Sequence, residues 1–193
     1  IFMGAFCILV AMLVLYIIVR NNKEKAVLIR SAQTDALTGV YNKENTQNMI
    51  DEILRKKDPD SFHGFLILDM DHFKEVNDVY GHAMGDKVLE MLGNFLKKQF
   101  REQDVIGRIG GDEFVILLYN IGSRQNMENR VKSLQEKIRE IHMDGMEGHT
   151  FTLSAGIAFA PQDGDTFMEL YQKADLALYQ VKRSGRNGYR IYK

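Results

Sequence analysis

The chain opens with a stretch that has no polar period, then settles into segments whose apolar residues recur at helical or strand spacing. Ile1 to Val19 contains no charged side chain. As a helix it would span roughly 28 Å at about 1.5 Å per residue, close to the ~30 Å hydrocarbon layer of a bilayer. Residues 1–19 are therefore expected to form a transmembrane helix. The chain starts at Ile1 rather than Met, so this helix is expected to be the C-terminal part of a longer membrane region. A signal-peptide core would be shorter and would follow a basic start. Arg20, Lys23, Lys25 and Arg30 come next, opposed only by Glu24, and a basic excess just beyond a span marks the cytoplasmic side. Residues 20–34 read as a helical stalk, with Ala26 to Ile29 as its apolar part.

From Asp35 to Lys193 the pattern is that of one domain. Lys43 to Lys56 fits a helix, and Gly64 to Met70 is a compact apolar run ending in acids, which suits a buried strand. Gly85 to Phe100 carries Val88, Leu89, Leu92, Phe95 and Leu96 on one helical face. Val105 to Ile109 and Phe114 to Tyr119 are short strands flanking Gly110-Gly111, which reads as a hairpin. Met127 to Ile141 is a further helix, Phe151 to Phe159 a strand, and Phe167 to Lys182 a helix with Leu170, Ala174, Ala177, Leu178 and Val181 on one side. Tyr189 to Tyr192 closes as an edge strand. A hairpin among alternating helices and strands rules out a purely parallel sheet, so the expected class is α+β, helices packed on a sheet.

Composition narrows the partners. With 193 residues, 45% hydrophobic and 26% charged, the chain is long enough to bury a core. A net charge of −1 provides no basic field for nucleic acid, so none is expected. The single cysteine, Cys7, excludes an intrachain disulfide and a cysteine-based metal cluster.

The acids at the end of the first strand are the sharpest chemical feature. Strand side chains alternate, so Asp69 and Asp71 share one face while Met70 points to the other. Paired carboxylates repel unless a positive charge sits nearby, and Mg²⁺, a hard ion that takes carboxylate and phosphate oxygens, suits that task. The Gly110-Gly111 turn lets the backbone approach a ligand, and Asp112 and Glu113 follow at once. If the two strands are neighbours, Asp69 and Asp112 can share one metal.

Gly110-Gly111-Asp112-Glu113-Phe114 is also the signature of GGDEF-domain diguanylate cyclases, and the resemblance extends well beyond it. Asp35-Ala-Leu-Thr-Gly-Val-Tyr-Asn42 resembles that family's leading motif. Leu68 to Asp78, Gly81-His82 and Gly85-Asp86 resemble its metal and guanine segment, and Lys182-Arg-Ser-Gly-Arg-Asn187 its C-terminal phosphate motif. The resemblance covers about residues 35–193. It implies a ferredoxin-like palm of the nucleotidyl-cyclase type, with a mainly antiparallel central sheet, preceded here by the membrane and stalk helix. It implies that Asp69, the carbonyl of Met70 and Asp112 hold Mg²⁺ (or Mn²⁺), with Glu113 a further acid. Asn77 and Asp86 would bond the guanine edge, with Phe73 and His82 beside the nucleotide. Lys74, Lys182 and Arg186 would neutralise phosphate charge. Asp112, as metal ligand or general base, would help the 3′-hydroxyl of one GTP attack the α-phosphate of another.

The same resemblance implies the product and its control. Asp86 accepts from guanine N1–H and its exocyclic amine, which favours GTP and cyclic di-GMP over an adenylyl-cyclase-like activity. Each domain would hold one GTP, so catalysis needs a homodimer, brought together by the stalk at the inner, cytoplasmic membrane. Arg101 to Asp104 resembles the family's R-x-x-D inhibitory product site, with Lys137 and Arg139 as candidates for a second basic contact. Val40 and Lys43 depart from the family's usual Leu and Arg, and Lys43 forgoes a bidentate contact. A domain that kept only the product site would be a cyclic di-GMP receptor, a reading the intact Asp69, Lys74, Asn77 and Asp112 oppose.

Overall fold

The computed structural model describes residues 12, 15–21, 33–56 and 61–193. The expected span over 1–19 and stalk over 20–34 lie mostly outside these residues. Residues 15–21 are helical, and among the described residues no helix is long and apolar enough to cross a membrane.

Helix α1 (Lys43–Arg55) starts at Asn42, whose Oδ1 accepts from Asn45 N at 3.0 Å, the cap expected of an Asn at that position. Strand β1 (His63–Met70) is buried along its whole length, because helices cover both sides of the sheet. The apolar pattern predicts no helix between Met70 and Gly85, yet α2 (Phe73–Tyr80) forms there. Val76 is its one buried residue, so no apolar stripe marks it in the sequence. Gly81, at φ +82°, separates it from α3 (His82–Gln99), which begins earlier than the apolar face suggests. Strands β2 (Val105–Gly110) and β3 (Glu113–Leu118) form the hairpin. Helix α4 (Arg124–Arg139) begins ahead of Met127 because Ser123 Oγ caps it, accepting from Asn126 N at 3.1 Å. Strand β4 (Leu153–Ala160), helix α5 (Phe167–Arg183) and strand β5 (Tyr189–Ile191) complete the domain.

The sheet order is β2-β3-β1-β4-β5. Only β4 and β5 run parallel; β1–β3, β1–β4 and β2–β3 are antiparallel. Alternation along the strands divides the core in two. Leu66, Leu68 and Met70 face the side that also holds Val88, Leu92 and Leu96 of α3 and Val131 and Leu134 of α4. Phe65 and Ile67 face the side that holds Ile50 of α1 and Leu170, Ala174 and Leu178 of α5.

Helix α5 lies unusually close to β4. A Cβ on Gly156 would stand 1.9 Å from the carbonyl oxygen of Ala174 and 2.5 Å from the nitrogen of Leu178. These are backbone atoms, so they cannot step aside. Gly156→Ala is expected to destabilise the domain by about 3 kcal/mol, the upper end of ordinary overpacking. The urea unfolding midpoint checks this, and an unchanged midpoint would contradict the close approach.

Candidate active site

The register of β1 brings the acids together. Asp69 stands opposite Glu113 on β3 and Ser154 on β4. All three side chains therefore lie on the α5 face, since residues directly opposite share a side. Asp112 sits in the hairpin just before β3, with Gly111 at φ +53°. From α5, Lys182 Nζ reaches Asp69 Oδ2 at 2.7 Å. Burial pushes the Asp69 carboxyl up to about 6 against that ion pair, with repulsion from Asp112 and Asp71 adding to the rise. Burial also raises Asp112, against its own main-chain N–H, Lys182 and Arg108. Main-chain groups alternate in direction along an antiparallel strand. Asp71 N bonds to Thr152 O at 3.0 Å, which turns the Met70 carbonyl the other way, toward the hairpin.

Asp71 shares this face as expected, but its carboxylate is occupied. It accepts from Thr152 Oγ1 at 2.8 Å, Ser154 Oγ at 2.6 Å and Asn187 N at 3.0 Å. It thereby anchors the turn after α5, in which Arg186 and Asn187 both take positive φ. Arg186 is exposed there. Glu113 is tied as well, its Oε1 accepting from the Tyr171 hydroxyl at 2.6 Å.

A second wall is built by α2 and α3. Phe73 and Asn77 are one turn apart on α2, and His82 and Asp86 one turn apart on α3, so each pair shares a face. The helices meet at Gly85, where a Cβ would stand 2.0 Å from Asn77 Oδ1 and 3.4 Å from the Phe73 ring. Asn77 and Phe73 are half-buried, whereas Lys74, His82 and Asp86 are exposed.

Arg101 and Asp104 lie apart from both walls, at the start of β2. The hairpin is at its other end, roughly 20 Å away for six strand residues. Asp104 accepts from Arg101 N at 2.9 Å and Tyr119 N at 3.0 Å. The Arg101–Asp104 segment borders a cleft of about 360 Å³ whose far side carries Asn126, Asn129 and Arg130. Of the two basic residues expected there, Lys137 bonds to Gln99 Oε1 at 2.8 Å and Arg139 to Asn187 Oδ1 at 2.7 Å. Arg130 is the second basic residue on that cleft, across from Arg101. Position along the helix decides this, since Lys137 continues the same face as Arg130 two turns further on, and the cleft is lined only by the first part of α4.

The profile of the family described as "Diguanylate cyclase, GGDEF domain" matches residues 32–188. The chain belongs to the GGDEF family. Diguanylate cyclase TpbB of Pseudomonas aeruginosa is 36% identical over 177 residues, 89% of this chain and 40% of that protein. Diguanylate cyclase DgcS of Shewanella oneidensis is 35% identical over 83% of this chain and 53% of its own length. The chain thus spans about half, or less, of these relatives. The GGDEF domain of TpbB superposes with a TM-score of 0.78 at 31% identity, covering 83% of this chain and 94% of that one. A microbial GGDEF domain described with cyclic di-GMP gives 0.71 at 31% identity, over 86% of this chain and 98% of that one.

GGDEF cyclases are metal-dependent, and the acid end fits a metal. Among the described residues no three His, Cys, Asp or Glu side chains form a ready cage. A hard ion that keeps waters and takes substrate phosphates needs no such cage. Asp69 and Asp112 are both raised although Lys182 acts on both and Arg108 on Asp112, so burial leaves the pair short of compensating charge. With the Met70 carbonyl turned toward them, they supply the oxygen donors such an ion takes.

Three functional residues escape sequence reasoning: Arg130, Arg108 and Tyr171. Arg108 donates Nε to Gly111 O at 2.8 Å and Nη1 to Asp35 Oδ1 at 3.1 Å, clamping the hairpin to the leading motif. Burial works to raise Asp35, but Thr38 and Arg108 outweigh it and hold the carboxyl low. Tyr171 is the third; its place beside the buried stripe of α5 was a usable signal, because a buried Tyr hydroxyl needs a partner.

The raised Asp69 sets a pH signature. Folded Asp69 keeps its proton to about 6, above its ordinary 3.8, so from pH 4 to 6 the native state binds more protons than the unfolded chain. Stability due to this group therefore falls as pH rises through that window. Asp69→Asn abolishes the loss. In EDTA, the stability of the variant relative to wild type is expected to rise by up to about 3 kcal/mol between pH 4 and pH 7. Urea unfolding across that range measures it, and a flat difference would show that Asp69 is not desolvated.

Proposed function

We propose that this chain is a diguanylate cyclase, which condenses two GTP into cyclic di-GMP and two pyrophosphates. The observation that carries the reading is the convergence of Asp69, Asp112 and Lys182 at the open end of β1, beside the GGDEF hairpin. Mg²⁺ (or Mn²⁺), held by Asp69, Asp112 and the Met70 carbonyl, would supply positive charge to the phosphates. Asn77 and Asp86 take the guanine edge, and Phe73 and His82 flank the nucleotide. Lys74, Lys182 and Arg186 neutralise the phosphates, so that little covalent chemistry is asked of the protein. At each of the two steps the 3′-oxygen of one GTP bonds to the α-phosphorus of the other and the bond to pyrophosphate breaks. The proton of that hydroxyl passes to a carboxylate oxygen of Asp112, with Glu113 as the neighbouring acid.

One domain presents one nucleotide site, so the reaction requires two copies face to face. We infer that residues 1–19 anchor the protein in the inner membrane, that residues 20–34 pair the copies, and that the GGDEF domain works in the cytoplasm. The basic excess after Val19 supports that orientation. Cyclic di-GMP would bind back at Arg101 and Asp104, and Arg130 is the basic residue across that cleft.

Incubation with GTP and MgCl₂, with products resolved by mass, is expected to yield cyclic di-GMP. Asp112→Ala should reduce the rate at least about 100-fold. A demonstrably dimeric preparation that makes no cyclic dinucleotide would sink the cyclase reading and leave a receptor. Product inhibition tests the second site. Arg101→Ala is expected to raise the cyclic di-GMP concentration for half-inhibition about tenfold or more, and equal inhibition of variant and wild type would remove that role.

A further inference from the structure

Strand β1 ends at the acid site, and its first residue lies behind the other cleft, the one bordered by Arg101 and Asp104. That residue is His63, opposite Ala160 on β4 and only 4% exposed. Its ring meets the turn that follows β3. Asn120 N donates to His63 Nδ1 at 3.1 Å, and the ring lies against that of Tyr119 with centroids 5.0 Å apart. A main-chain N–H can only donate, so Nδ1 is the unprotonated nitrogen of the ring.

The turn is a wall of the cleft: Tyr119, Asn120 and Ile121 line it together with Arg101, Asp104 and Arg130. It is fastened at each of its three residues. Tyr119 N donates to Asp104 Oδ1 at 3.0 Å, Asn120 N to His63, and Ile121 N to Phe62 O at 2.8 Å. Asp104 Oδ2 accepts from Arg101 N at 2.9 Å, so the carboxylate and the Arg101 main chain depend on the same turn. Asn120 takes φ +45°, a left-handed conformation that a residue with a Cβ holds only against a steric cost. The His63 bond falls on that residue and comes from a side chain that does not line the cleft. A ligand that meets such a turn already formed does not bear the cost of ordering it.

We propose that His63 is a positioning residue for the product cleft. Its Nδ1 holds Asn120 in the left-handed turn and, through Tyr119 N, keeps the Asp104 carboxylate set to receive cyclic di-GMP. The inference rests on the reading of Arg101 and Asp104 as the product site. Neither turnover nor the metal enters it.

Two substitutions separate the nitrogen from the ring. His63→Phe keeps a ring against Tyr119 and removes the acceptor, whereas His63→Asn gives up the ring and places Oδ1 where Nδ1 stood. The full chain is titrated calorimetrically with cyclic di-GMP in EDTA, and urea unfolding midpoints are measured beside it. His63→Phe is expected to weaken binding about fivefold, the equivalent of one hydrogen bond, while His63→Asn stays within about twofold of wild type. A role in packing alone would give the opposite order, since His63→Asn leaves a void where the ring was. Unchanged binding in His63→Phe, equal weakening in both variants, or affinity that simply follows the unfolding midpoint would each overturn the proposal. Arg101→Ala, titrated in parallel, tells the two readings apart. If it binds as wild type does, the product site falls and the role of His63 with it. If it binds weakly while His63→Phe is unchanged, the product site stands and only the role of His63 falls.

Discussion

Strand β1 pairs with β3 on one side and β4 on the other, and each acid at the site takes its position from those two registers. The registers are held by burial on both faces: Leu66, Leu68 and Met70 pack against one layer of helices, and Phe65 and Ile67 against the other. A slip of one residue would exchange the two sets and turn Asp69 away from Lys182. The chemistry at the end of the strand is therefore maintained by the apolar residues along its length. A carboxylate carried to the end of such a strand is partly desolvated whatever its neighbours are, and the rise of Asp69 to about 6 reflects that position.

Charge at this end of the sheet is deliberately unbalanced. Lys182 is the close cation to Asp69, while Asp71 and Glu113 are satisfied by neutral donors: two hydroxyls and an N–H for one, a tyrosine for the other. Neutral donors fix a carboxylate without cancelling its field. Ground-state stability is lost to repulsion and attraction for a cation is gained, the usual exchange at a functional site. Asp71 does a second job by gripping Asn187, because the same bond holds the turn that carries Arg186.

Much of the arrangement was legible in the residues. The apolar run of β1, the helical face of α3 and the Gly110-Gly111 turn announce themselves through period and turn chemistry, and the α+β class follows from their order. Helix α2 was invisible because it buries a single side chain, Val76; where packing does not stripe a helix, period cannot reveal it. Arg130 was hidden for a related reason. A run of Arg130, Lys132, Lys137 and Arg139 on one helix offers several equivalent cations, and only the placement of α4 along the cleft selects the one beside Arg101.

What the sequence determined by itself was the family, the order of elements and the acids, Asp69 and Asp112, expected to meet. These depend on residue identity, local period and turn preference, all of which are local properties. What the tertiary structure decided was the company each acid keeps. Lys182 turned out to be the counter-ion of Asp69, Tyr171 the tether of Glu113, and Arg108 the clamp between the hairpin and Asp35. Lys182–Asp69, Tyr171–Glu113 and Arg108–Asp35 each join residues more than fifty positions apart, and a contact over that distance is set by how helices and strands pack, which no local pattern records.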